Sequence, residues 1–219
     1  MTVNLKQHLT YSKDPVLFAK EQWLTLDAFD KFQCKIIKPF DYQLDLINNF
    51  DKINFNIEAK SRQMHLSTSV ALYIAWYVLF NSDKTVGIIA VNSESAQRIL
   101  ERIRMILQHY SVDNEKDGRV TKTYFHWEDD FVINNKREIK LKNGCKIFAS
   151  SATPDAVKGY SLDFVYIDEA AFIKHYESIF ASIIVSSYVK KNSKVIIGST
   201  PNEDSFFNKQ FLEASVKNN

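Results

Sequence analysis

The run Phe164-Val165-Tyr166-Ile167-Asp168-Glu169 sets four aliphatic and aromatic residues directly before two adjacent acids. A short apolar run with a polar stop reads as a buried strand ending at its tip. Uncompensated carboxylates are costly to desolvate, so the pair makes chemical sense where a cation and a reacting water meet at that tip. Asp168 is then the candidate Mg²⁺ ligand, direct or through water. Glu169 is the candidate base that orients and activates a water against a γ-phosphate. The same residues also fit a plainer description, with Asp168 as a helix N-cap and Glu169 in a first turn favoured by the helix dipole.

Such chemistry also needs phosphate contacts, and the turn after the strand signal Asn54–Lys60 is where they would sit. It reads Lys60, Ser61, Arg62, Gln63, Met64, His65, Leu66, Ser67, Thr68. A usual phosphate loop closes on Gly-Lys-Ser/Thr, where backbone N–H groups cradle the phosphates and the Lys bridges β and γ oxygens. Here His65 and Leu66 stand where Gly and Lys belong. A helix N-terminus still supplies donors and the positive dipole end. Ser67 keeps the Mg²⁺-binding hydroxyl, and Lys60 and Arg62 bring cationic charge to the loop's opening. Ser199 and Thr200, at the tip of the apolar run Lys194–Gly198, could sense a γ-phosphate, although Thr200-Pro201-Asn202 also reads as a simple turn. Upstream, Gln43 in Phe40-Asp41-Tyr42-Gln43 could offer its amide to an adenine edge.

The elements that must position these residues alternate. Pro15–Trp23 carries a helix signal. Ser67 to Phe80 reads as a helix apolar on nearly every face, hence buried between a sheet and other elements. Thr85–Val91 is a continuous apolar run of the kind both-faces-buried strands show. Ser93 to Tyr110 places Ala96, Ile99, Leu100, Ile103, Ile106, Leu107 and Tyr110 at helical spacing, with Ser93 as the N-cap. Asn143-Gly144 marks a hairpin between Glu138–Lys142 and Cys145–Ala149, and a last helix starts near Asp204. This order implies an α/β chain with three layers and a mainly parallel sheet, its ligand crevice at the strands' carboxyl ends.

Bulk properties exclude little. The 219 residues fit one large domain, and 45% apolar with 25% charged residues is ordinary globular composition. A net charge of +2 carries no nucleic-acid signature, and the cluster Lys136, Arg137, Lys140, Lys142 and Lys146 reads as a solvated hairpin face. Cys34 and Cys145 have no CxxC or zinc spacing, and His8, His109 and His175 stand without metal-ligand partners. His126 and Trp127 read as a core-to-surface edge. The N-terminus is no signal peptide. The longest apolar run, Val70 to Phe80, is about half a membrane span, which predicts a soluble, cytoplasmic protein.

From about Asp14 to the end, these stretches together resemble the large terminase family, the packaging ATPases of tailed phages. Ser61-Arg62-Gln63-Met64 matches the first half of the family loop Ser-Arg-Gln-x-Gly-Lys-Thr. Asp168-Glu169-Ala170-Ala171-Phe172 is similar to its Asp-Glu-x-Ala-Phe signature. Ser151 to Ser161 looks like the segment before the acidic strand, and Ser199-Thr200-Pro201-Asn202 like the motif coupling hydrolysis to domain movement. The resemblance implies a three-layer P-loop NTPase fold (ASCE/RecA-like) over 41–219 with a short helical N-terminal extension over 1–40. It implies ATP and Mg²⁺ as cofactors, adenine recognition by Gln43, and Arg62 as a cis arginine finger. Leu66 departs from the family lysine. Some members carry that lysine at the loop's start, where Lys60 stands.

The expected activity is ATP hydrolysis driving double-stranded DNA into a viral procapsid, by a ring of such subunits working with a portal protein and a small terminase subunit in the host cytoplasm. Two alternatives stay open: a catalytically impaired nucleotide-binding or scaffold module, and a helicase-like ATPase. The nuclease domain that usually follows in the family is expected to be absent from this chain.

Overall fold

A computed structural model of the chain describes residues 5–26, 34–36, 38–116, 119–124, 130–153, 155–188 and 192–217. His126, Trp127 and Pro154 lie outside them. The centre is a seven-stranded sheet in the order β3 (Phe55–Ala59), β11 (Lys194–Ser199), β10 (Phe164–Asp168), β4 (Thr85–Ala90), β9 (Lys146–Ser151), β8 (Glu138–Leu141), β7 (Phe131–Asn134). The first five are parallel, and β8 and β7 join antiparallel at one end. Asn143-Gly144 makes the predicted β8–β9 turn, with Gly144 at φ +84. Two small antiparallel pairs lie outside this sheet: β1 (Leu24–Leu26) with β2 (Cys34–Ile36), and β5 (Ser111–Lys116) with β6 (Arg119–Tyr124).

Strand periodicity of two builds the layers. In β10, Phe164 and Tyr166 belong to one core while Val165 and Ile167 belong to the other; Ile196 and the pair Val195, Ile197 divide in the same way in β11. The first core receives α4 (Leu66–Leu79), α5 (Ser93–His109), α3 (Asp41–Lys52) and the N-terminal helices α1 (Leu5–Lys13) and α2 (Pro15–Gln22). The second receives α6 (Tyr176–Tyr188) and α7 (Phe206–Lys217), through Tyr176, Ile179, Ile183 and Phe207. This is the expected three-layer arrangement.

Helix α4 is buried on nearly every side, as its composition requires, and Trp76 Nε1 donates to the Tyr11 carbonyl at 2.7 Å. The α5 cap is Asn92 rather than Ser93. The Asn92 side chain accepts from the Ser95 N–H at 2.8 Å, as an extended residue just outside the first turn can. Helix α3 was not expected, because the segment looks polar. Its buried positions Gln43, Ile47 and Phe50 nevertheless recur at helical spacing. Among the described residues no helix is long and apolar enough to cross a membrane.

Leu66, the first residue of α4, is 2% exposed and packs toward β11, where a Cβ added to Gly198 would lie 2.4 Å from Leu66 Cδ2. Truncation by Leu66→Ala should therefore destabilise the fold by about 2–5 kcal/mol in urea unfolding. A change within about 0.5 kcal/mol would show that this position is not core.

Candidate active site

Strand register brings the candidate residues together. In β3, β11 and β10, Ala59 lies opposite Ser199 and Gly198 opposite Asp168. Lys60, Thr200 and Glu169 are therefore the first residues beyond three neighbouring strands at the sheet's carboxyl edge, Glu169 one step short of the other two, and Lys60 N–H donates to the Ser199 carbonyl at 3.0 Å. The strands of Lys60 and Glu169 are two positions apart, roughly 9–10 Å. Two long side chains span that gap. Lys60 Nζ sits 2.6 Å from Glu169 Oε1, with side chains 14% and 33% exposed.

The other Glu169 oxygen, Oε2, accepts from Thr200 N–H at 3.2 Å and Ser199 Oγ at 3.4 Å. Ser199 Oγ in turn accepts from Ala171 N–H at 3.0 Å. Burial pushes the Glu169 carboxyl up, but the hydrogen bonds from Lys60 and Thr200 and the lysine charge outweigh it, so the group is held below its ordinary value.

Asp168 ends β10 and faces the α4 layer, on the same side as Tyr166. Its Oδ1 accepts from Tyr166 OH at 2.6 Å and from Ser67 Oγ, in the first turn of α4, at 3.1 Å. Desolvation raises this carboxyl and Glu169's charge adds to the rise, while the Tyr166 hydrogen bond, Lys60 and Ser67 oppose it. A buried carboxylate that among the described residues is hydrogen-bonded by the hydroxyls of Tyr166 and Ser67 fits a divalent cation as a further partner. Neither acid's side chain caps a helix. Asp168 is strand, and Glu169 takes φ 53 ahead of a single 3-10 turn, Ala170–Phe172, without a side-chain cap bond.

The loop from Ser61 to His65 is exposed, Arg62 included. Gln63 (φ 65) and His65 (φ 51) are left-handed. His65 occupies the position where glycine is usual and keeps the backbone shape glycine suits, at some conformational cost. The His65 carbonyl accepts from the Thr68 and Ser69 N–H groups at 3.0 and 3.1 Å, which starts α4. With Glu169, three of the five non-glycine residues of positive φ among those described lie in this site, where strain commonly concentrates.

Helix α3 holds the loop from the other side, since Tyr42 OH donates to the Met64 carbonyl at 3.1 Å. Gln43 is buried, and its Oε1 accepts the Phe40 N–H at 3.0 Å, closing the α3 N-terminus. Between α3, β3 and the loop lies a cavity of about 350 Å³ whose lining includes Tyr42, Asp45, Asn49, Glu58, Lys60 and Met64. Tyr166, Tyr42 and Glu58 went unnoticed in the sequence. Alternation could have found the first, because residues 166 and 168 must face the same helix.

The fold is that of a P-loop NTPase-like domain, with the altered loop, the acidic strand and a hydroxyl-tipped strand between them. Residues 59–219 match the family model described as terminase large subunit, T4likevirus-type, N-terminal. The chain belongs to that family. Its structure is similar to the bacteriophage HK97 large terminase (TM-score 0.69, 12% identity, 94% of this chain and 41% of that one). It is also similar to a Thermus phage large terminase ATPase domain (TM-score 0.53, 22% identity, 80% and 70%). A third likeness is the large terminase of a thermophilic bacteriophage solved with ATP-γ-S (TM-score 0.57, 14% identity, 83% and 43%). The chain thus spans about two fifths of the HK97 protein's length.

The cavity carries its own stability signature. Desolvation alone lifts Glu58 from 4.5 to about 7. The folded state then binds this proton more tightly than the unfolded chain, so Glu58 costs nothing below pH 4.5 and its full amount above about pH 7. Glu58→Gln should stabilise the ligand-free protein by on the order of 2–3 kcal/mol at pH about 8, and by little at pH about 4. Thermal melts at the two pH values check this; equal shifts at both would refute it.

Proposed function

We propose that this chain is the ATPase module of a DNA-packaging motor, hydrolysing ATP to drive double-stranded DNA into a procapsid. The carrying observation is the convergence of Lys60, Ser67, Asp168, Glu169, Ser199 and Thr200 on one edge of three adjacent strands. Family membership supports the packaging role, as does the likeness to terminase ATPase domains.

Ser67 and Asp168 are the residues that would hold Mg²⁺, which supplies charge neutralisation for the β and γ phosphates. Tyr166 aims the Asp168 carboxylate. Lys60 replaces the missing loop lysine and delivers its charge from the strand side, while Leu66 has become core. Loop N–H groups and the α4 N-terminus receive phosphate oxygens, with Ser61 through Thr68 forming the cradle and Arg62 free to reach over it. Glu169, once Lys60 turns to the phosphates, orients a water and accepts its proton. Ser199 and Thr200 keep the Glu169 carboxylate fixed and tie its position to the following segment. The assembled motor would be a ring of these subunits, with portal protein and small terminase subunit as partners in the host cytoplasm.

Glu169→Gln should abolish Mg²⁺-dependent turnover, a loss of about 10²–10⁴-fold, while leaving nucleotide binding largely intact; full activity would remove Glu169 from the role of base. Lys60→Ala should lose far more turnover than Leu66→Ala, measured as phosphate release from folded protein. The reverse order would return the phosphate contact to the helix start. ATP binding without turnover, or neither, in the unmodified protein would favour the catalytically impaired nucleotide-binding or scaffold reading instead.

A further inference from the structure

The loop from Ser61 to His65 is held in a shape that its residues do not favour. Gln63 and His65 are left-handed, at φ 65 and φ 51, while Met64 between them is not. Neither is glycine, so each is inclined to return to negative φ. Alternating handedness of this kind turns successive N–H groups to one side of the chain, the concave side that receives anions. The carbonyls are left on the outside. The shape that suits a phosphate is therefore also the strained one.

One contact opposes the return. Tyr42 OH donates to the Met64 carbonyl at 3.1 Å, between the two left-handed residues. Among the described residues it is the one hydrogen bond that reaches positions 61–64 from elsewhere in the chain. The base of this contact is rigid. Gln43 Oε1 accepts the Phe40 N–H at 3.0 Å and fixes the first turn of α3, while Ile47 and Phe50 anchor the helix in the core. Lys194 Nζ holds the other end, donating to the Phe50 and Asp51 carbonyls at 2.8 Å. The Tyr42 ring stacks on Phe40, with centroids 5.9 Å apart and 12° between planes, which limits the directions its hydroxyl can take.

We infer that Tyr42 is a positioning residue for phosphate capture: its hydroxyl holds the Met64 carbonyl outward and so keeps the loop N–H groups turned inward. This rests on the nucleotide-binding reading of the site. Without the hydroxyl, the strained shape is populated for a smaller fraction of the time, and apparent affinity falls by that fraction. Because Tyr42 acts through the loop backbone, the effect falls on any ligand that carries the phosphates, with or without a nucleoside. Lys60 brings the charge, the loop N–H groups direct it, and Tyr42 keeps those groups in place.

Tyr42→Phe removes the hydroxyl and keeps the ring with its stack on Phe40. Calorimetric affinities for ATP with Mg²⁺ and for inorganic tripolyphosphate test the inference. They are measured on the unmodified chain and Tyr42→Phe, then on both again with His65→Gly, and thermal melts establish that each variant is folded. Tyr42→Phe should weaken both ligands by the same factor, about three- to tenfold. With His65→Gly, where residue 65 takes positive φ at no steric cost, the same change should weaken them by about twofold or less. Unaltered tripolyphosphate affinity in folded Tyr42→Phe, including a loss confined to ATP, overturns the inference alone. So does a factor undiminished by His65→Gly. If the unmodified chain binds neither ligand, the nucleotide reading falls and takes this inference with it.

Discussion

Parallel strands carry their carboxyl ends to one side of a sheet, but they need not end at one level. In this chain β3 and β11 do, and β10 stops one residue earlier, because Ala59 pairs with Ser199 and Gly198 with Asp168. A one-residue slip of β11 would turn Ser199 away from Glu169 and put Gly198 in its place. Lys60 would meet the same carboxylate only if β3 kept step. The register is held by continuous apolar packing on both faces, with α4 below one and α6 and α7 below the other. The polar site is thus a by-product of where the apolar strands stop.

That dependence explains how far the sequence could be read. Continuous runs such as Phe164–Ile167 and Thr85–Val91 could hardly be anything but buried strands, and the all-round apolar character of α4 required cover on several sides. The adjacency of Asp168 and Glu169 announced a polar strand tip. The order of strands was a different matter: no local feature of Lys194–Ser199 says that it lies between β3 and β10. Because it does, Ser199 and Thr200 touch Glu169. The α3 helix was hidden by its exposed Asp41, Asp45 and Asn49, which dilute the Gln43, Ile47 and Phe50 stripe. Glu58 was hidden for the opposite reason, since a lone acid in a strand looks like a solvent-facing residue until a helix is laid across it.

Substitutions in the loop become coherent once placed. Leu66 could leave the phosphate position because it found a core position under Gly198, whose lack of a side chain makes room for it. His65 could replace glycine because the left-handed conformation, costly for most residues, is tolerated better by His than by bulky or branched ones. Lys60 lies just past the edge strand, one strand beyond Ser199, where a four-carbon stem still reaches Glu169 after β10.

The Lys60–Glu169 contact has a consequence for proton balance. A single ammonium group can neutralise one anion fully, and here two compete for it: the glutamate already beside it and any phosphate that reaches the loop. Drawing Lys60 toward a phosphate removes the strongest hydrogen bond that keeps Glu169 ionised, so its proton affinity rises at the moment a base is wanted. By reciprocity, whatever protonates Glu169 releases Lys60 and strengthens anion capture. Ligand occupancy and the charge on this carboxylate are therefore two readings of one equilibrium, written into a contact of 2.6 Å.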